Sequence, residues 1–134
     1  MKLNVFPVVL VVDDDRGQVV LVTSFLQKAG FRVVSASSAE HALAGLVAAG
    51  DASEAISLLV TDLDMPGMSG RTLAAQLVKT HPTLKVLYVT ANADVLFQQG
   101  RELGAHEAFL EKPVSSQALR EAVNLLLQTS PPPI

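Results

Sequence analysis

Two rhythms of apolar positions alternate along the chain. Val8-Val9-Leu10-Val11-Val12 is a continuous apolar, mostly β-branched run, the pattern of a strand buried on both faces. Val19, Val22, Leu26 and Ala29 then recur at i, i+3, i+7 and i+10, which predicts a helix ended by Gly30. Arg32 to Ala36 predicts a short second strand. The run Ser37-Ser38-Ala39-Glu40 has the form of a capping box from Ser37 to Glu40; it opens a helix through Ala42, Leu43 and Leu46 that stops at Gly50. Ser57 to Thr61 is the third predicted strand, and Leu73, Ala74 and Leu77 mark a third helix closed by the His81-Pro82 step. Lys85 to Thr90 is the fourth strand, followed by a helix from Asn92 or Ala93 to Gly104. Ala108-Phe109-Leu110 is a brief fifth strand, broken by Lys112-Pro113. Ser115 or Ser116 caps a last helix with Leu119, Ala122, Val123 and Leu126 on one face. Five strands alternating with five helices predict a parallel sheet covered on both faces. Right-handed crossovers then bring the carboxyl ends of all the strands to one edge.

Composition narrows this picture. With 134 residues, 49% of them hydrophobic and 17% charged, the chain is expected to be one domain over 1–134, with a core of about 8–128 and a proline-rich tail at 129–134. A net charge of -3 gives no electrostatic footprint for DNA or RNA, so direct nucleic-acid binding is not expected. The absence of cysteine excludes disulfides, thiolate metal sites and thiol nucleophiles, and fits a reducing compartment. Val8 to Val12, the longest apolar run, is far too short to span a membrane, and the first residues lack the apolar stretch of a secretion signal. A cytoplasmic location is expected, alone or as the cytosolic domain of a larger sensor kinase.

The candidate chemistry lies at the strand ends. The first strand ends in Asp13-Asp14, the third in Asp62, the fourth in Thr90-Ala91 and the fifth near Lys112-Pro113. In a doubly wound sheet these ends converge in one crevice. Carboxylates crowded there repel one another, and a cation relieves the cost. All-oxygen ligation suits Mg²⁺, with Mn²⁺ as an alternative. Lys112 offers a point charge to a phosphoryl oxygen and Thr90 a hydroxyl donor. Asp62 is the best candidate nucleophile, because carboxylates form aspartyl-phosphate intermediates and phosphoryl transfer needs mainly alignment and charge neutralisation. Read alone, each of these groups has a plainer role: Asp62 and Asp15 as turn or cap residues, Thr90 as a β-branched strand residue, and the Ser and Gly of the 63–70 loop as turn formers. The histidines His41, His81 and His106 have no metal-ligand spacing and read as surface residues.

Four motifs in order carry a resemblance: the apolar strand with Asp13-Asp14; Asp62 followed by Met65-Pro66-Gly67-Met68-Ser69-Gly70; Val89-Thr90-Ala91; and Phe109-Leu110-Glu111-Lys112-Pro113. Over roughly Val8 to Gln128 the chain resembles the receiver domain of bacterial two-component response regulators. The resemblance implies a flavodoxin-like (βα)5 fold with strand order 2-1-3-4-5. It implies that Asp62 accepts a phosphoryl group from a phosphohistidine on a histidine kinase or histidine phosphotransfer protein. It implies Mg²⁺ ligation by the side chains of Asp14 and Asp62, by Asp13 through water and by the backbone carbonyl of Asp64. Thr90 and Lys112 would hold phosphoryl oxygens, Phe109 would be the aromatic switch with Thr90, and the Lys112-Pro113 bond is expected to be cis. Asp64 and Asn92 occupy positions that tune the phosphate's lifetime.

The sequence departs from that pattern at three places. Asp64 adds a carboxylate two residues after the acceptor, the segment Gly104 to Phe109 is one residue longer than usual, and Val114 stands where Phe is common. The Phe-Leu-Glu-Lys-Pro run and the proline tail favour the carboxy-terminal receiver of a hybrid histidine kinase. Apolar residues off the core faces, Leu125 and Leu127 on the fifth predicted helix and Val95 and Phe97 on the fourth, offer a homodimer or partner surface. Two other readings compete. Leu59-Val60-Thr61-Asp62-Leu63-Asp64 is also similar to the first motif of haloacid-dehalogenase-type phosphatases, although Met65-Pro66 replaces its small hydroxylated residue. A receiver-fold docking module that is never phosphorylated is the other.

Overall fold

The computed structural model describes residues 8–49, 56–92, 94, 103–104 and 106–128. Five strands form one parallel sheet: β1 (Val8–Val12), β2 (Arg32–Ala36), β3 (Ile56–Thr61), β4 (Lys85–Thr90) and β5 (Glu107–Glu111), in the order β2-β1-β3-β4-β5. The described helices are α1 (Arg16–Lys28), α2 (Ala39–Ala49), α3 (Gly70–Thr80) and α4 (Ser116–Gln128), the last being the fifth in the predicted series. The predicted helix starting at Asn92 or Ala93 falls mostly outside the described residues, as do Gly50 and the proline tail.

Register explains why the apolar runs are continuous. In β1, alternate residues point to opposite faces, and both faces are covered. Val8, Leu10 and Val12 join Leu59, Val86, Tyr88, Leu73 and Leu77 on the face packed by α2 and α3. Val9 and Val11 join Leu58, Val60, Leu87, Val22, Leu26, Leu119 and Val123 on the face packed by α1 and α4. β2 is an edge strand, and Val34 is accordingly exposed.

The helix starts are set by short polar side chains. Asp15 caps α1, accepting the Gln18 N–H at 3.2 Å, so its plainer reading as a cap agrees with the structure. Ser69 caps α3 through the Thr72 N–H, and Ser115, rather than Ser116, caps α4 through the Ala118 N–H. At α2 the capping box predicted from Ser37 to Glu40 is displaced by one residue. Ser38 is the cap, accepting the His41 N–H at 3.0 Å. Glu40 then falls one position too early to reach back to the cap, and its carboxylate bonds elsewhere. β5 is longer than the predicted Ala108-Phe109-Leu110. Glu107 and Glu111 extend the ladder opposite Val86 and Thr90, and the Tyr88 hydroxyl donates to Glu107 Oε2 at 3.0 Å. That bond and the surrounding burial hold the Tyr88 phenol well above its usual range, burial being the larger cause.

Candidate functional site

Four strand ends meet at the carboxyl edge of the sheet. The Asp62 N–H donates to the Val12 carbonyl, the Asp13 N–H to the Ala36 carbonyl and the Lys112 N–H to the Thr90 carbonyl, so the ladder itself fixes where these residues leave the sheet. Asp13 and Asp62 are buried, and Asp14 is exposed at the rim. One carboxylate oxygen from each of Asp13, Asp14 and Asp62 lies within 4.8 Å of the others, the one such acidic cluster among the described residues.

Lys112 bridges two members of this cluster. Its Nζ lies 3.0 Å from Asp62 Oδ2 and 3.1 Å from Asp13 Oδ2, so one ammonium serves two buried carboxylates. Burial disfavours the lysine's charge, but the hydrogen bonds to Asp62 and Asp13 outweigh it and raise its pKa. At Asp13 the balance is reversed. Burial raises its pKa above the usual carboxylate value, although the Asp15 N–H (2.9 Å) and Lys112 pull the other way. A pocket that penalises its own carboxylate charge with one lysine to offset it has capacity for a further cation.

The remaining predicted groups line the same edge. Thr90 is buried, and its Oγ1 accepts the Asn92 N–H at 3.1 Å, which ties the loop after β4 to the strand end. Asn92 is itself exposed. Phe109 is half-buried against the α2/α3-side core. The Asp64 side chain is exposed and outside the carboxylate cluster, while its backbone N–H donates to Asp62 Oδ1 at 3.2 Å. The Lys112-Pro113 peptide is cis, and Val114 is buried with the α1/α4-side core. The histidines stay out of the cluster. His41 is exposed; His81 ends α3 and shares a 2.9 Å contact with Thr80 Oγ1.

Sequence reasoning placed Gly70 in the motif as a turn former and missed its contact with Asp62. A Cβ there would land on the Asp62 carbonyl oxygen and come within 3.0 Å of Thr61 Oγ1. The first turn of α3 therefore presses directly under the candidate nucleophile, and only a residue without a side chain permits it. The Gly70 N–H also donates to the Leu63 carbonyl at 3.1 Å, closing the loop onto the strand end. A glycine opening a helix after a turn-rich loop carries no sequence signal for such a contact.

Known proteins are similar to the chain over most of its length. The family model of the response regulator receiver domain matches residues 9–124. The chain is 33% identical over 118 residues to the C4-dicarboxylate transport transcriptional regulatory protein DctD of Rhizobium meliloti, covering 87% of this chain and 24% of that protein. It is 34% identical over 121 residues to the sensor kinase CckA of Brucella abortus, covering 90% of this chain and 12% of that protein. Among solved structures, a response regulator receiver domain protein from Clostridium thermocellum aligns with a TM-score of 0.74 at 28% identity, over 91% of this chain and 94% of that one. The chain thus spans a quarter or less of the length of these two curated relatives.

Proposed function

Because the chain belongs to the response regulator receiver domain family of signalling switches, we propose that Asp62 is its phosphoryl acceptor in a two-component phosphorelay. The observation that carries this reading is the Lys112 ammonium shared between Asp62 and Asp13 at the sheet edge. An Asp62 carboxylate oxygen attacks the phosphorus of a phosphohistidine on a histidine kinase or histidine phosphotransfer protein. The P–N bond breaks, its electron pair stays with the imidazole nitrogen, and an acyl phosphate remains on Asp62. Lys112 moves with the new phosphoryl oxygens and balances their charge, and the Thr90 hydroxyl, whose oxygen accepts the Asn92 N–H, donates its proton to a phosphoryl oxygen.

The donor set fits Mg²⁺, with Mn²⁺ as a substitute: the carboxylates of Asp13, Asp14 and Asp62 converge, and burial, with the neighbouring Asp62 charge, disfavours the charge of Asp13. The side chains of Asp14 and Asp62, Asp13 through water and the Asp64 backbone carbonyl would hold the ion. When bound, it neutralises the acidic cluster and the phosphoryl oxygens. Attack of water on the acyl phosphate releases inorganic phosphate and restores Asp62. Asp64 and Asn92, exposed beside the phosphate's position, set how fast water gains access. Withdrawal of Thr90 inward leaves room for Phe109 to bury itself, which shifts a two-state equilibrium that a partner reads.

The domain is then a switch with self-phosphorylation and self-dephosphorylation chemistry, not a turnover enzyme on free metabolites. One receiver domain over 1–134, in the cytoplasm alone or as the cytosolic part of a larger sensor kinase, is consistent with this. So is the lack, among the described residues, of a helix long and apolar enough to cross a membrane. Its partners are the phosphodonor protein and a second copy or output partner on the last helix, where Leu125 is exposed. No direct contact with nucleic acid belongs to the scheme. Addition of beryllofluoride with Mg²⁺, followed by amide NMR, tests the reading. Shifts at Asp62, Thr90 and Phe109 are expected; an unchanged spectrum would instead favour a docking module that is never phosphorylated.

A further inference from the structure

Glu40 stands outside the acidic cluster, exposed on the first turn of α2. Released from the capping role that Ser38 takes, its Oε2 accepts the backbone N–H of Met68 at 3.0 Å, across 28 residues of sequence. A second feature fits the same contact from the other side. Gly67 has φ +79°, and a Cβ there would come within 2.5 Å of Glu40 Oε2. The glycine therefore supplies both the left-handed turn and the space the carboxylate fills. Hydrogen bonds from its own backbone N–H and from Met68 hold the Glu40 carboxyl below its usual range, as expected for a carboxylate gripped in its charged form.

The tethered segment is the one that frames Asp62. At its start the Asp64 N–H donates to Asp62 Oδ1; at its end Ser69 caps α3, and Gly70 lies under the Asp62 carbonyl. Between those points Met65 is buried and Met68 is half-buried against the core. Apolar packing holds the inner side of the loop, and Glu40 fastens its polar side to α2. We propose that Glu40 is a positioning residue for the acceptor site: through the Met68 N–H it fixes the loop whose Asp64 backbone orients the Asp62 carboxylate and meets the cation. This rests on the reading of Asp62 as acceptor. Glu40 touches neither the phosphoryl group nor the metal.

Two variants of the whole chain, Glu40→Ala and Glu40→Gln, separate positioning from charge. Mg²⁺ titration followed by amide NMR reports affinity, hydrogen exchange at Met68 reports the tether, and urea unfolding checks the fold. Glu40→Ala is expected to bind Mg²⁺ about fivefold more weakly, the worth of one lost hydrogen bond, and to exchange the Met68 amide faster with little change in urea midpoint. Glu40→Gln keeps an acceptor oxygen and is expected to stay within about twofold of wild type. Equal losses in both variants that disappear at high salt would mean long-range attraction of Mg²⁺ by the Glu40 charge, and would overturn the positioning role. So would a Glu40→Ala protein that binds Mg²⁺ as well as a wild type that binds it. A wild type that binds no Mg²⁺ at millimolar levels would instead refute the acceptor-site reading itself, and the inference with it.

Discussion

Replacing Lys112 by Met keeps the length and apolar stem of the side chain and removes its ammonium. The ammonium sits 3.0 Å from Asp62 and 3.1 Å from Asp13, whose side chains are 11% and 4% exposed. Without it two nearly buried carboxylates face each other unpaired. Removing one member of a fully buried pair costs about 3–5 kcal/mol. Lys112 retains 19% exposure, so solvent already screens part of the interaction, and a loss of about 2 kcal/mol is the expected size. With a urea slope of about 1.5 kcal/mol per molar for a domain of this length, the midpoint should fall by about 1.3 M in a chelating buffer. The chain has no tryptophan, so far-UV circular dichroism is the appropriate signal. A bound cation replaces the missing charge. At ten times its dissociation constant Mg²⁺ should return about 1.4 kcal/mol to the variant. A Lys112→Met protein as stable in chelator as the wild type would refute the view that this lysine offsets the buried acids. A variant that gains nothing from Mg²⁺ would refute the convergence of the three carboxylates on one ion.

Other predictions follow from the same geometry. Burial raises the Asp13 pKa in the folded chain, so the stability it contributes is fully present below its ordinary value of 3.8 and lost as pH rises through the raised one. Ionised Asp13 therefore costs stability near neutrality, and Asp13→Asn should raise the chelator-state stability by roughly 0.5–2 kcal/mol while weakening Mg²⁺ binding; calorimetry and urea unfolding at pH 7 measure both. Gly70→Ala drives a methyl into the Asp62 carbonyl and should cost about 3 kcal/mol by urea unfolding, with phosphorylation slowed because the strand end must shift.

What the sequence revealed depended on the range of each interaction. Strand ends were legible because β-branched runs stop at acids: Val12 before Asp13, Thr61 before Asp62. The chemistry followed once right-handed crossovers placed those ends together. Local caps were legible to within one residue at Asp15 and Ser115, which bond to N–H groups three positions on, whereas Ser69, read only as a turn former, proved to cap α3 in the same way. At Ser37-Ser38 two candidate caps stand side by side, and local pattern cannot rank them; packing of Ala39 and Ala42 into the core set the phase in favour of Ser38. Glu40 and Gly70 were illegible for a different reason. Their partners, the Met68 N–H and the Asp62 carbonyl, are backbone groups brought close only by the tertiary fold. The extension of β5 to Glu107 and Glu111 was hidden because acidic residues weaken a strand signal, and here ladder pairing and the Tyr88 hydroxyl override it.

The central claim is that one carboxylate, Asp62, takes the phosphoryl group. Incubation with labelled acetyl phosphate and Mg²⁺, borohydride reduction of the acyl phosphate and peptide mapping would locate it directly. Stoichiometric label that depends on Mg²⁺, reduction product at position 62 and no label in Asp62→Asn are the predicted results. Label on another residue, or label that persists in Asp62→Asn, would contradict the account.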